Sequence, residues 1–169
     1  MTAAADDRSL SHIDEHGKAR MVDVTAKATT ERRAVARCIV RTRAPGHVLD
    51  DPWLIACARV AGIQAAKATS TLIPLCHPLA IDETQVEIGA CDAGLEIRAT
   101  TTVMAQTGVE MEALSACAGA GLSVLSVVMH VDPAAEIDEL ALWHKSGGRR
   151  GTFERSHGSE RSTGEQAGA

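Results

Sequence analysis

Between Arg33 and Arg43 the chain alternates, with Ala34, Ala36, Cys38 and Val40 on one side and arginines at 33, 37, 41 and 43 on the other. A period of two predicts a strand with one face on a core and one face in water. Pro52 suits the first turn of a helix, and Leu54, Cys57, Ala58, Ala61, Ala65 and Ala68 then recur at threes and fours, which carries that helix to about Ala68. Two further alternating runs follow, Val86, Ile88 and Ala90, then Leu95, Ile97, Ala99 and Thr101, joined through Asp92-Ala93-Gly94 as a hairpin. From Gly108 to His130, Met111, Leu114, Ala118, Leu122, Leu125 and Met129 keep helical spacing until Asp132-Pro133 stops the run. A last alternating stretch, Glu139 to Lys145, places Leu140 and Leu142 on one face and ends at Ser146-Gly147-Gly148.

The predicted order is strand, helix, strand, strand, helix, strand. With two helical crossovers around a central hairpin, the economical packing is α+β: a ferredoxin-like βαββαβ layer, with both helices on one face of an antiparallel sheet. Residues 1–10 and 151–169 are small, polar or charged with almost no apolar anchors, and read as disordered tails around a single domain at 11–150. Composition alters this picture in one respect. Hydrophobic residues make up 45% of the chain but aromatics only 2%, so small side chains must do the packing and subunit contacts are expected to supply further burial.

The formal charge of −5 argues against a general nucleic-acid binder, which needs a basic surface to neutralise phosphates. Cysteines at 38, 57, 76, 91 and 117 form no C-x-x-C pair and are odd in number, which fits a reducing cytoplasm better than a disulfide framework or a zinc ribbon. The N-terminal MTAAADDRSL carries acids where a signal peptide needs a positive and then an apolar region, and no apolar run reaches the ~18 residues of a membrane span. A soluble, cytoplasmic protein is expected.

Two stretches carry candidate chemistry. STLIPLCHPLAID, Ser70 to Asp82, sets His77 between a cysteine and a proline on the connection from a helix to a strand, where a polar side chain can face a cleft. Cys76 and His77 read equally as buried spacers bonded to backbone. A zinc site has no second ligand at suitable spacing, since His130 and His144 join only through the fold. TGVEMEAL, Thr107 to Leu114, opens the second long helix: Thr107 and Gly108 can begin it, and Glu110 and Glu112 complement the positive end of its dipole. Two positions apart on a helix is about 200°, so the two carboxylates are expected to serve different surfaces. Lys67 and Lys145 are each ordinary solvated cations that together can hold phosphates.

ARVAGIQAAKATSTLIPLCHPL (58–79), TGVEMEAL (107–114), ARMVDVTAKA (19–28) and HKSGGRRG (144–151) together resemble the cyclic pyranopterin monophosphate synthase family of molybdenum cofactor biosynthesis, MoaC. The resemblance spans about Leu10 to Arg150. It implies the ferredoxin-like fold, a homohexamer built as a trimer of dimers with sites at subunit contacts, and a lyase without cofactor or metal. The substrate implied is a small nucleotide-derived molecule, cyclised dihydroguanosine triphosphate, rearranged to cyclic pyranopterin monophosphate with loss of diphosphate. It also implies that Leu75, Cys76, His77, Met111 and Glu112 contact substrate, and that Lys67, His77, Glu110, Glu112 and Lys145 serve the chemistry. Phosphate-bearing substrates need cations, and ring opening and closure need proton carriers.

Three positions depart from the family pattern. Ungapped spacing from TGVEMEAL puts Ser126 where the family has an aspartate acid/base and Met129 where it has a lysine; Asp51 stands where it has a lysine before the first helix. A hydroxyl cannot serve as a carboxylate base at neutral pH, and a thioether carries no charge. His130, four residues after Ser126 and about 40° around a continuing helix, is the expected local substitute. The resemblance therefore leaves two readings open: a synthase, or a catalytically impaired paralogue that binds a purine or pterin phosphate or partners an active subunit.

Overall fold

The computed structural model describes residues 12–14, 16–149 and 151–156. The elements are β1 (Thr30–Arg41), α1 (Gly46–Leu49), α2 (Pro52–Lys67), α3 (Thr69–Leu72), β2 (Glu83–Cys91), β3 (Gly94–Ala105), α4 (Glu110–Val128), β4 (Glu136–Ser146) and β5 (Phe153–Glu154). The sheet order is β2-β3-β1-β4-β5, with every neighbouring pair antiparallel. Its first four strands give the expected ferredoxin-like layer. The single-turn helices α1 and α3 and the strand β5 carry no periodicity a sequence reading can detect. The N-terminal tail and residues 157–169 lie outside the described residues, whereas Phe153 and Glu154 pair with Lys145 and His144 and extend the sheet by one strand.

The alternation in β1 sorts as expected on the helix side, where Ala34, Ala36, Cys38 and Val40 are buried against the helices. The arginine face is drier than its pattern implies: Val35 and Ile39 are also buried. Arg37 pairs with Glu96 at 2.8 Å and its guanidinium lies 4.8 Å from the Trp143 ring, while Arg41 pairs with Asp138 at 2.6 Å and Glu139 at 3.0 Å. Long cationic side chains laid flat in this way cover apolar surface with their stems. β4 departs from simple alternation. Register shifts against β1, with Glu139 at φ 54°, turn Ile137 and Leu142 to the core and leave Leu140 exposed.

Close helix contact resolves the shortage of aromatics. A Cβ on Gly62 of α2 would lie 2.8 Å from the Ala116 carbonyl oxygen, and one on Gly119 of α4 only 2.5 Å from the Ala65 Cβ. The two antiparallel helices thus meet nearly backbone to backbone, and alanines fill the interface at high density. Cys38 and Cys117 act as small hydrophobes, their thiols donating weakly to the Cys117 and Ile97 carbonyls at 3.7 and 3.6 Å. By length and composition α4 could cross a membrane, although serines and glycines punctuate its apolar run. Half of it is buried as the core helix of this layer, including Ala113, Ala116, Cys117, Ala120, Val124 and Val128.

Candidate active site

β1 and α4 run so that the C-terminal end of β4, the loop from β3 into α4 and the connection after α3 meet at one pole of the domain. There a cavity of about 160 Å³ is lined by His12, Val22, Leu75, Cys76, His77, Leu79, Thr107, Gly108, Glu110, Met111 and Glu112. The LCH segment and the opening of α4, thirty-odd residues apart in sequence, therefore form opposite sides of one depression. A second, more open depression on the far side of His77 is lined by Pro78, Leu79, Val24, Thr29 and the Val103–Thr107 strand end. His77 and Thr107 belong to both walls.

α4 starts later than its sequence signal: Val109 is the N-cap and makes no side-chain capping bond. Glu110 and Glu112 leave the first turn on different sides, as their spacing requires, yet both reach the same cavity. Glu112 is only 4% exposed. Loss of water around its carboxylate is the main cause that pushes its pKa up from 4.5 to about 7; its own backbone N–H opposes this and the nearby Glu110 charge adds to it. A carboxyl group poised there both gives and takes protons near neutral pH. Glu110 accepts from the Lys145 ammonium at 3.0 Å. Gly108 makes that pose possible, because a Cβ on it would sit 2.0 Å from a Glu110 carboxylate oxygen. Burial, and secondarily the Glu112 charge, raises the Cys76 thiol pKa, so Cys76 is a neutral wall group and no nucleophile at neutral pH.

Lys145 is held by its neighbours on both sides, Ala34 of β1 and Phe153 of β5. Arg32 packs against the turn that follows. Its guanidinium donates to the Ala105 and Gln106 carbonyls at 3.3 and 3.5 Å, and a Cβ on Gly148 would meet the same guanidinium at 1.8 Å. Gly147 and Gly148 both adopt positive φ, 90° and 77°, which glycine alone accepts without strain. One arginine thereby lies against the Lys145 turn while bonded to the loop that opens α4.

Of the residues selected from sequence, Leu75, Cys76, His77, Glu110, Met111 and Glu112 come together around the cavity, and Lys145 joins them through Glu110. Lys67 ends α2 at the same pole, exposed, outside the lining. Ser126, Met129, His130 and Asp51 do not join them. Ser126 is fourteen residues beyond Glu112, roughly 21 Å along a helix. Asp51, at the N-terminus of α2, and the C-terminal end of α4 belong to the opposite pole. There Asp51 caps α2, accepting from the Trp53 and Leu54 amides at 2.8 and 3.1 Å, and the Ser126 hydroxyl donates back to the Ser123 carbonyl at 2.7 Å. The face-sharing expected of His130 needs a helix that continues; α4 ends at Val128, and the His130 amide turns to Val127 at 3.3 Å, leaving the ring on an exposed turn. His12 is the site residue that sequence reasoning missed: it lies outside the ARMVDVTAKA stretch and reaches the cavity only through tertiary structure.

The ferredoxin-like layer carries a half-buried pocket of two imidazoles and two carboxyl groups next to a lysine, a set of groups able to carry protons and to meet an anion. The MoaC family model matches residues 21–148, and the chain belongs to that family. It is 49% identical over 162 residues to a protein named cyclic pyranopterin monophosphate synthase 2 from Mycobacterium tuberculosis, covering 91% of this chain and 97% of the relative. A protein named cyclic pyranopterin monophosphate synthase 1 from the same strain is 46% identical over 88% of this chain and 91% of its own length. A cyclic pyranopterin monophosphate synthase from Streptomyces griseus is 46% identical, covering 87% of this chain and 86% of the relative.

Proposed function

We propose that this chain is a cyclic pyranopterin monophosphate synthase-type lyase of molybdenum cofactor biosynthesis, converting cyclised dihydroguanosine triphosphate to cyclic pyranopterin monophosphate and diphosphate. The observation that carries the reading is the convergence of Leu75, Cys76 and His77 with Glu110, Met111 and Glu112 on one cavity beside Lys145. The roles follow from the chemistry. Lys145 exchanges the Glu110 carboxylate for a phosphate oxygen and stabilises the departing diphosphate. Glu112 and His77 move protons as rings open and close, and the Leu75, Cys76 and Met111 walls shape the cavity. No cofactor or metal enters this scheme.

The assembly proposed is a cytoplasmic homohexamer, a trimer of dimers. It is supported by the separation of the two residue sets: the cavity and Lys67 occupy one pole, while Asp51, Ser126, Met129 and His130 occupy the other, so a complete site draws the two poles from different copies. The exposed apolar residues Trp53, Val60 and Leu122 on the helices, and Met129 just past α4, give such copies something to bury.

The second reading, a catalytically impaired paralogue, is favoured by that second pole, where Asp51 and Ser126 are occupied with local backbone bonds and offer no lysine or free carboxylate. Single-turnover assay separates the two. With protein in excess over cyclised dihydroguanosine triphosphate, the synthase reading expects stoichiometric diphosphate; none above a protein-free control overturns it in favour of the binding-only reading.

A further inference from the structure

Among the described residues of 12–29 there is no helix or extended strand, yet they are tied down at several points. Ile13 and Ala19 form an isolated antiparallel bridge, and the Arg20 amide donates to the His12 carbonyl at 2.9 Å. Between them the Asp14 carboxylate accepts from the His16 and Lys18 amides at 2.9 and 2.8 Å, and Gly17 turns the chain at φ 77°. Further on, Asp23 accepts from both the Thr25 amide and hydroxyl. The Gln106 side-chain amide, from the loop that opens α4, donates to the Lys27 carbonyl at 3.0 Å and to Thr25 at 3.5 Å. The segment buries little, with Ile13 and Met21 both about half exposed, so a core-packing role does not explain these ties. They do hold Val22 and His12 in the wall of the active-site cavity.

We propose that His12 is a ligand-contacting residue of this site, donating an imidazole N–H to the phosphate chain of a nucleoside triphosphate; the inference rests on the synthase-type reading of the same cavity. Charge decides which part of the ligand it meets. Glu112 is buried in the cavity wall and keeps phosphates away from that part of it, whereas the Glu110 carboxylate is paired with Lys145 and can be exchanged for a phosphate oxygen. His12 is exposed at the cavity and Lys145, one-quarter exposed, stands beside it through Glu110, so the phosphates run along the mouth between them while the uncharged rings enter. The titratable groups sharing the cavity are Cys76 and His77 from the α3–β2 connection and Glu110 and Glu112 from α4.

The test is calorimetric titration of the full chain with a non-hydrolysable guanosine triphosphate analogue and with inorganic triphosphate. His12→Ala is expected to weaken both about tenfold, as for loss of a charge-assisted hydrogen bond. His12→Gln, which keeps an N–H donor, should recover part of the loss. His16→Ala, on the same loop and outside the cavity lining, should bind as the natural protein does. Melting curves confirm that each variant is folded. Undiminished analogue binding by His12→Ala overturns the proposal, and loss of the analogue with inorganic triphosphate unaffected overturns the phosphate assignment. A natural protein that binds neither probe defeats the synthase reading together with this one, whereas binding that depends on His12 without turnover defeats the synthase reading alone.

Discussion

Glutamine at position 112 keeps the shape of the glutamate and removes its charge, so Glu112→Gln isolates the cost of ionising a carboxyl group in the cavity wall. The folded-state pKa near 7 lies above the ordinary 4.5. Below about pH 4.5 the group is protonated whether the chain is folded or not, and it contributes no pH dependence. Between 4.5 and 7 the unfolded chain releases the proton that the folded chain keeps, so stability falls as pH rises; above 7 the loss is complete. At about 1.4 kcal/mol per unit the loss amounts to roughly 3 kcal/mol. Urea denaturation at fixed protomer concentration, run at pH 5 and pH 8, measures it. Glu112→Gln should gain stability relative to the natural protein as pH rises, by about 2–3 kcal/mol over that interval. Parallel pH dependences for the two proteins would refute the buried, proton-holding carboxyl. The same substitution should abolish turnover, since glutamine carries no exchangeable acid.

Other expectations are equally direct. Gly119→Ala forces a methyl against Ala65 and should cost about 1–3 kcal/mol by overpacking the α2–α4 contact, read as a lower urea midpoint with the slope unchanged. Lys145→Ala breaks a partly exposed pair worth under about 1 kcal/mol, so its melting temperature should barely move while affinity for a guanosine triphosphate analogue falls tenfold or more. A large melting shift with unchanged affinity would contradict that division of labour. Gly148→Ala places a methyl on the Arg32 guanidinium at a positive φ and should lower turnover more than stability, because the turn that follows Lys145 is displaced.

The fold was legible where burial imposes a simple period. β1, the hairpin and both long helices announce themselves because one face of each meets a core, and their register follows. β4 was harder, since its bulges and the positive φ of Glu139 break the alternation and expose Leu140 while burying Ile137. β5 and the 12–20 loop were not legible at all, because hydrogen bonds to distant or irregular backbone hold them. The same distinction applies to the site. LCHPL and TGVEMEAL stand out as motifs, and both line the cavity. His12 does not stand out, since it reaches the cavity from an irregular loop closed by the Arg20 amide on its carbonyl and by the Asp14 turn. The face-sharing expected of His130 presumes a continuing helix, whereas α4 ends at Val128.

If the first pole binds and the second has lost its proton carrier and cation, turnover should be slow and repairable. Loss of a general acid/base group typically costs about 10²- to 10⁴-fold in rate. Mass-spectrometric measurement of cyclic pyranopterin monophosphate formed from cyclised dihydroguanosine triphosphate tests this most directly, comparing the natural chain, Ser126→Asp/Met129→Lys and the Mycobacterium tuberculosis relative. The account predicts slow product formation by the natural chain, and a rise of orders of magnitude in the double variant with analogue affinity little changed. A natural chain that already matches the relative, or a double variant that binds the analogue yet forms no product, would contradict it.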